Sequence, residues 1–192
     1  MTLRHLTIAL FLVGTAAIGV QGYSLSSHKW PTSQVRYYVN PQNLRLSAAS
    51  VTSAIQTAAD VWNSQSLANI ELLYAGTTTG SALTLNYKNE VFLRNTSNGS
   101  MFARTYTYWD ASGRRIDSDI MFYEGAIRFF TISGCATGVY LEAGAAHEFG
   151  HMLGLAHSYV AGATMNGTMP KYCDRTWLTL SPDDVAGIEK LY

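Results

Sequence analysis

The residues with the clearest chemical potential are three histidines in the C-terminal third of the chain. Of the five histidines, His147, His151 and His157 lie in one eleven-residue stretch. His147 and His151 are four positions apart, so on a helix both imidazoles project from the same face. Zinc prefers nitrogen ligands in a tetrahedral arrangement, and a catalytic zinc keeps one position for water. The spacing therefore predicts one catalytic zinc ion that needs a third protein ligand.

Two further residues of this stretch support the prediction. Gly154 can end the helix with a positive φ, which returns the chain so that His157 reaches the same cation. Glu148 follows the first ligand and is predicted to be the general base that takes a proton from the attacking water. The run from His147 to His157 reads HExxHxxGxxH, which is far more specific than an isolated HExxH. Surface or core histidines without a metal are the disfavoured alternative.

Several amphipathic segments are predicted to position these side chains. One helix begins after the cap residue Ser47, a second runs from Leu141 to Leu153 and carries two of the histidines, and a third begins at Ser181. Segments rich in β-forming residues predict five strands, at 35–39, 70–74, 82–87, 103–108 and 116–123. No linker or repeat divides the chain, so we expect one α+β domain.

The N-terminus is predicted to direct export. A weakly basic start precedes the apolar stretch from Leu6 to Val20, which is short for a membrane span. We predict a signal peptide over residues 1–22, a mature domain over residues 23–192, and a secreted or periplasmic location. Cleavage near Ala16 and an uncleaved anchor are the alternatives. The 13 basic and 13 acidic residues form no long run of either sign, so neither nucleic-acid binding nor stable membrane insertion is expected.

The predicted export indicates the oxidation state of the two cysteines of the chain. Cys135 and Cys173 form an even pair in a protein bound for an oxidising compartment, where a disulfide is the usual state. A metal site built on them is disfavoured, because neither cysteine has a neighbouring histidine. The sequence therefore predicts a Cys135–Cys173 bridge.

Carboxylates offer a second and weaker metal prediction. Asp117, Asp119 and Glu124 lie in or just after a predicted strand, and their oxygens suit calcium. No second histidine cluster remains, since His5 leaves with the signal peptide and His28 stands alone. We expect one zinc ion per chain, and calcium at these carboxylates stays an open alternative.

The long histidine motif resembles that of the metzincin peptidases, and Ser158 after the third histidine is typical of the matrixin branch. The resemblance extends over nearly the whole mature chain, with matching segments at 28–31, 58–62, 116–120 and 180–188. It implies an α+β, zincin-like fold. The expected architecture is a mixed, twisted five-stranded sheet with about three helices and a small C-terminal subdomain after Gly154.

The resemblance also implies roles for single residues. Metzincins have a methionine turn beneath the metal, and Met165 lies eight residues after His157, the usual matrixin spacing. Met169 with Pro170 is the alternative, and either methionine could be core filler. Gly167 stands where a tyrosine ligand would mark another branch, so three histidines and water are expected. The sequence has no switch cysteine, second-zinc histidine set or haemopexin-like domain, which implies a minimal catalytic domain.

The function implied by the resemblance is that of a secreted zinc endopeptidase, and we expect it to be a monomer. Protein or peptide substrates would lie extended along an edge strand near residues 103–105. The alternative is a non-catalytic adhesive or pseudo-enzyme module that keeps the zinc motif. Glu148 argues against it, because a purely structural zinc site does not need that carboxylate.

A substrate pocket is also expected from the resemblance, beside the zinc and against the active-site helix. In matrixins the residue four positions before the first zinc histidine can fill this pocket, and here that residue is Ala143, followed by Gly144. Small residues at both positions predict a deep pocket that prefers Leu, Met or Phe just after the cleaved bond. Close packing of both residues against the sheet, with residues 166–172 closing the pocket, is the alternative.

Overall fold

The computed structural model describes residues 22–65, 67–132, 134–169 and 171–192. The predicted signal peptide, apart from Gly22, lies outside these residues. No helix within the described ranges is long and apolar enough to cross a membrane. Besides a 3-10 turn at Thr176–Leu178, these ranges contain β1 Ser24–Leu25, β2 Gln34–Asn40, α1 Ala48–Asn63, β3 Glu71–Thr77, β4 Asn89–Arg94, β5 Ala103–Trp109, β6 Arg115–Tyr123, β7 Phe129–Phe130, β8 Val139–Tyr140, α2 Leu141–Leu153, β9 Leu155–Ala156 and α3 Pro182–Leu191.

Five of these strands form one mixed sheet in the order β3-β2-β4-β6-β5. Strands β2, β3, β4 and β6 run parallel, whereas β5 pairs antiparallel with β6 at the edge. The mixed five-stranded sheet and the three helices implied by the resemblance are therefore confirmed. Since β5 has a strand on one side within the described chain, its other side is the candidate surface for an extended peptide.

One strand prediction is wrong. Residues 82–87 form a loop, and the strand lies further along the chain as β4. The backbone amides of Asn86 and Tyr87 donate to the Asp117 carboxylate, each at 2.7 Å, instead of to a neighbouring strand. Tyr87 also has a φ of 61°, which a strand does not allow. A buried carboxylate therefore determines the conformation of this β-rich segment.

Helices α1 and α2 pack against each other behind the sheet. Helix α1 begins as predicted after Ser47, whose hydroxyl accepts a hydrogen bond from the Ser50 amide at 3.0 Å. Its apolar face includes Ile55 and Trp62, which are both buried in the core. The Trp62 indole N–H donates to the Ala146 carbonyl at 2.7 Å, directly before the first histidine of the motif. This hydrogen bond ties α2 to α1 beside His147, the first predicted zinc ligand.

Helix α2 ends and helix α3 begins at the capping residues predicted from the sequence. Gly154 ends α2 with a φ of 119°, and its amide donates to the Gly150 carbonyl at 3.0 Å. Helix α3 begins at Pro182 after the cap residue Ser181, and Asp184 completes a capping box with Ser181. The chain therefore turns away after α2, and α3 returns beside the segment that carries the third histidine.

The predicted Cys135–Cys173 disulfide is present, with the two Cα atoms 5.6 Å apart. It joins the segment before β8 to the loop before the 3-10 turn. Cys173 adopts a φ of 60°, and its amide donates to the Gly138 carbonyl at 2.8 Å. The bridge thereby holds the start of the 3-10 turn close to the N-terminal end of α2.

Candidate metal centre and cleft

The three predicted zinc ligands come together in one cluster. His147 and His151 lie on α2, and His157 follows the turn at Gly154. One potential ligand atom from each histidine lies within 4.8 Å of the others. Among the described residues, this is the one group of three or more possible ligands that could hold a metal ion. His147 is buried and His157 is exposed, so the cluster lies at the base of an open cleft.

Backbone carbonyls orient two of the imidazoles. His147 Nδ1 lies 2.7 Å from the Thr164 carbonyl oxygen, and His151 Nδ1 lies 2.8 Å from the Leu155 carbonyl oxygen. A carbonyl oxygen only accepts hydrogen bonds, so Nδ1 carries the proton in each ring. The lone pair is therefore on Nε2, which is the usual arrangement of histidines that bind a metal.

The electrostatics of the cluster fit a divalent cation. Burial lowers the pKa of all three imidazoles, that of His147 well below its usual value, and neighbouring histidines add to the shift at His147 and His157. At neutral pH the rings are therefore uncharged, which is the form that binds a metal. Neutral nitrogen donors that converge without a carboxylate among them suit zinc better than calcium.

Glu148 lies in the same cleft and has a partner that the sequence does not reveal. The Thr105 hydroxyl donates to Glu148 Oε2 at 2.5 Å and lies 3.2 Å from the Glu148 carbonyl oxygen. Burial raises the pKa of the Glu148 carboxyl to about 7, against the opposing effect of this hydrogen bond. Thr105 lies on the edge strand β5, so it links the predicted base to the strand expected to bind substrate.

Met165 lies in a turn beneath the histidine cluster. Its side chain is buried and packs so closely on Gly150 of α2 that a Cβ at that position would overlap the Met165 sulfur. The Met165 carbonyl accepts a hydrogen bond from the Ser158 amide at 2.7 Å. Met169, the alternative, lines the cleft and is only partly buried. Met165 is therefore the more deeply buried of the two candidate methionines and contacts the helix that carries His147 and His151.

Asp184 fixes this turn from the first part of α3. Its carboxylate is fully buried and accepts hydrogen bonds from the Thr164 amide at 2.8 Å and the Met165 amide at 2.9 Å. Because the Thr164 carbonyl in turn accepts from His147, a chain of contacts runs from α3 to the metal cluster. The sequence gives no sign of this role of Asp184.

The cleft has a volume of about 840 Å³ and runs between residues 98–105 on one side and the histidines on the other. The Trp177 indole stacks on the His147 ring, and the Phe102 ring lies 6.0 Å from His147. Ala143 is fully buried, and Gly144 packs against Phe102. Neither of these two small residues lines the cleft.

The carboxylates considered for calcium do not converge. Asp117 and Asp119 are fully buried, and both accept hydrogen bonds from backbone amides. Glu124 lies elsewhere and accepts a hydrogen bond from the Leu44 amide at 3.1 Å. These three carboxylates do not form a cluster that could hold a metal among the described residues.

The fold and the histidine cluster together define a zincin-like α+β domain with a three-histidine site that could hold a metal ion. A family model described as Matrixin matches residues 29–192. The chain belongs to the matrixin family, whose members are zinc metalloendopeptidases.

Matrixin relatives show how far this similarity extends. Mouse stromelysin-1 is 31% identical over 179 residues, which are 90% of this chain and 35% of that protein. Mouse matrilysin is 28% identical over 180 residues, again 90% of this chain and 63% of the relative. Human stromelysin-3 is 52% identical over 48 residues. The chain spans about a third of the length of stromelysin-1.

Proposed function

We propose that the chain is a secreted zinc-dependent endopeptidase, with His147, His151 and His157 as zinc ligands and Glu148 as the general base. The observation that carries this proposal is the convergence of three imidazoles within 4.8 Å in the cleft that also contains Glu148. Membership of the matrixin family supports the same chemistry. Met165 is proposed to support the centre from below, as the methionine turn.

The residues of the chain provide the proton transfers of peptide hydrolysis. Bound zinc would polarise the scissile carbonyl and lower the pKa of the attacking water to about 7. Glu148 takes the proton from that water and delivers it to the leaving amine. The Thr105 hydroxyl keeps this carboxylate in one orientation during both steps.

Substrate is proposed to bind as an added strand along β5. Residues 103–105 of this edge strand line the cleft opposite the histidines. Backbone amides and carbonyls of an edge strand pair with any extended peptide, so this contact sets direction and position rather than sequence preference. The scissile carbonyl would then lie between Thr105 and the metal cluster.

Export and a monomeric state complete the proposal. The Cys135–Cys173 bridge is typical of proteins in an oxidising compartment. The apolar segment before residue 22 supports a secretory signal. Mass spectrometry of the secreted protein tests the signal directly, because cleavage after residue 22 leaves Tyr23 as the first residue.

The test of the proposed chemistry is Glu148→Gln, which keeps the size of the side chain but removes the base. Peptide hydrolysis should fall by roughly 10²–10⁴-fold, while zinc content and thermal stability stay close to those of the unmodified protein. Glu71→Gln, at an exposed position of β3, is the matched control and should not change hydrolysis.

Two outcomes of this experiment would reject the proposal. Turnover by the Glu148→Gln variant at the rate of the unmodified protein would remove Glu148 from the mechanism. A pure protein that holds one zinc ion and hydrolyses no peptide would instead support the non-catalytic binding module.

A further inference from the structure

Trp177 occupies an unusual place for a large apolar side chain. Its indole stacks on the imidazole of His147, with the ring centroids 4.4 Å apart and the planes inclined by 15°. Trp177 is only 3% exposed, although it borders the open cleft. The Phe102 ring lies 6.0 Å from the indole and 6.0 Å from the imidazole, so it closes the same space from the sheet side.

Covalent and polar contacts on both sides hold the short turn that carries Trp177. Before the turn, the disulfide at Cys173 ties the chain to the segment before α2. Arg175 then packs its guanidinium over the Tyr140 ring, 5.6 Å from the ring centre. After the turn, the Thr179 carbonyl accepts a hydrogen bond from the Thr164 hydroxyl at 2.9 Å. Trp177 is therefore a fixed wall of the cleft.

Burial opposes displacement of the indole by a substrate side chain. An aromatic ring of this size buries about 150–250 Å² of surface, and stacking adds to this burial. A large substrate side chain directed toward His147 would have to expel the ring from that position. A small side chain, such as that of Ala, Ser or Gly, leaves the stack intact.

We propose that Trp177 determines the specificity of this cleft by filling the space beside His147, so that substrates with a small residue next to the scissile bond are selected. The inference rests on the proposed peptidase function. The proposed preference for small residues is the opposite of the preference for Leu, Met or Phe expected from Ala143 and Gly144. Phe102 covers Gly144, and the Trp177 indole lies beside the Phe102 ring, so the small residues of α2 do not open a deep pocket.

Two peptide series test this proposal, each with Ala, Leu or Phe at one of the two residues that flank the cleaved bond. The unmodified protein should favour Ala over Phe in kcat/KM by at least about tenfold at one of these positions. Trp177→Ala should raise the Phe-to-Ala ratio at that position by at least tenfold, and Trp177→Leu should raise it by less. Tyr87→Ala, at an exposed aromatic residue in the loop before β4, is the control and should leave the ratio unchanged.

Equilibrium binding separates a failure of this proposal from a failure of the proposed function. In the Glu148→Gln background the same peptides are titrated without turnover, and Trp177→Ala should shift the ratio of their dissociation constants in the same direction. Absence of hydrolysis by the unmodified protein counts against the peptidase. An equal preference for Phe and Ala in the unmodified protein, or a ratio that neither Trp177 variant changes, overturns the role of Trp177.

Discussion

A cluster of histidines and a cluster of carboxylates lie among the described residues, and the backbone contacts them in opposite ways. In the histidine cluster, backbone carbonyls accept from Nδ1 of His147 and His151, which leaves the opposite nitrogen with a lone pair. In the acidic cluster, formed by Glu90, Asp117 and Asp119, backbone amides donate to the oxygens of both aspartates. Both oxygens of Asp119 and Oδ2 of Asp117 therefore accept hydrogen bonds, whereas Asp117 Oδ1 has no hydrogen-bond partner.

The comparison shows that burial and ligand type do not by themselves make a metal site. Glu90, Asp117 and Asp119 are as buried as His147. A cation at the acidic cluster must nevertheless compete with the N–H groups that donate to the aspartate oxygens. In His147 and His151 the backbone carbonyl contacts Nδ1, so the lone pair of Nε2 remains for a metal. The orientation of the backbone around the side chains decides between a metal centre and a structural anchor.

Metal content is the largest expected difference between the two clusters. His157→Ala removes a ligand, so zinc affinity should fall by more than the roughly 10–100-fold seen when an orienting residue is lost. Asp119→Asn should leave the protein with one zinc ion and no calcium. Elemental analysis after dialysis against a weak chelator measures both. Loss of a second metal equivalent in Asp119→Asn would contradict the comparison.

A smaller effect is expected where α3 supports the histidine cluster. Asp184→Ala leaves the buried amides of Thr164 and Met165 without an acceptor, which should cost at least about 2 kcal/mol of unfolding free energy. The Thr164 carbonyl would also orient His147 less well, so zinc affinity should fall by roughly 10–100-fold.

Glu189→Ala, on the same helix, is the control for this variant and should change neither quantity. Urea unfolding and a competitive zinc titration measure the two effects. A large loss of stability with unchanged zinc affinity would separate the turn from the metal centre and break the proposed connection.

The sequence predicts the parts of the site that depend on local spacing. The four-residue step from His147 to His151, the stop at Gly154 and the caps at Ser47 and Ser181 each follow from geometry within one or two helical turns. These features appear in the structure at the predicted positions. The disulfide is predicted as well, because two cysteines in an exported chain allow one pairing.

Contacts between residues far apart in the sequence could not be predicted in this way. The hydrogen bond from Thr105 to Glu148 joins residues 43 positions apart, and neither residue type predicts the other as its partner. The strand predicted at residues 82–87 fails for the same reason, since the Asp117 carboxylate that binds its amides lies 31 positions beyond Asn86. The stacking of Trp177 on His147 likewise depends on tertiary packing and not on spacing.

The pH dependence of stability is the subtlest difference between the clusters, because it changes neither fold nor metal content. Burial raises the pKa of Asp119 to about 7 and raises the pKa of Asp117, while the amide hydrogen bonds oppose both shifts and the charge of Glu90 adds to them. The native state therefore keeps a proton on Asp119 at pH values where the unfolded chain, with an ordinary pKa of 3.8, has lost it. The resulting stabilisation is fully present below pH about 4 and is lost as the pH rises through about 7.

Asp119→Asn should remove this component, since an amide does not titrate. Protonation of the histidines lowers stability on the acid side in both proteins, so the informative quantity is the difference in unfolding free energy between them. The unmodified protein should lose more stability than the variant between pH 5 and 8, measured by urea unfolding in zinc-containing buffer. A difference that stays constant over this range, or that grows in the opposite direction, would mean that the backbone amides outweigh burial and that Asp119 is ionised in the folded protein. The acidic cluster would then hold a fixed negative charge inside the folded protein.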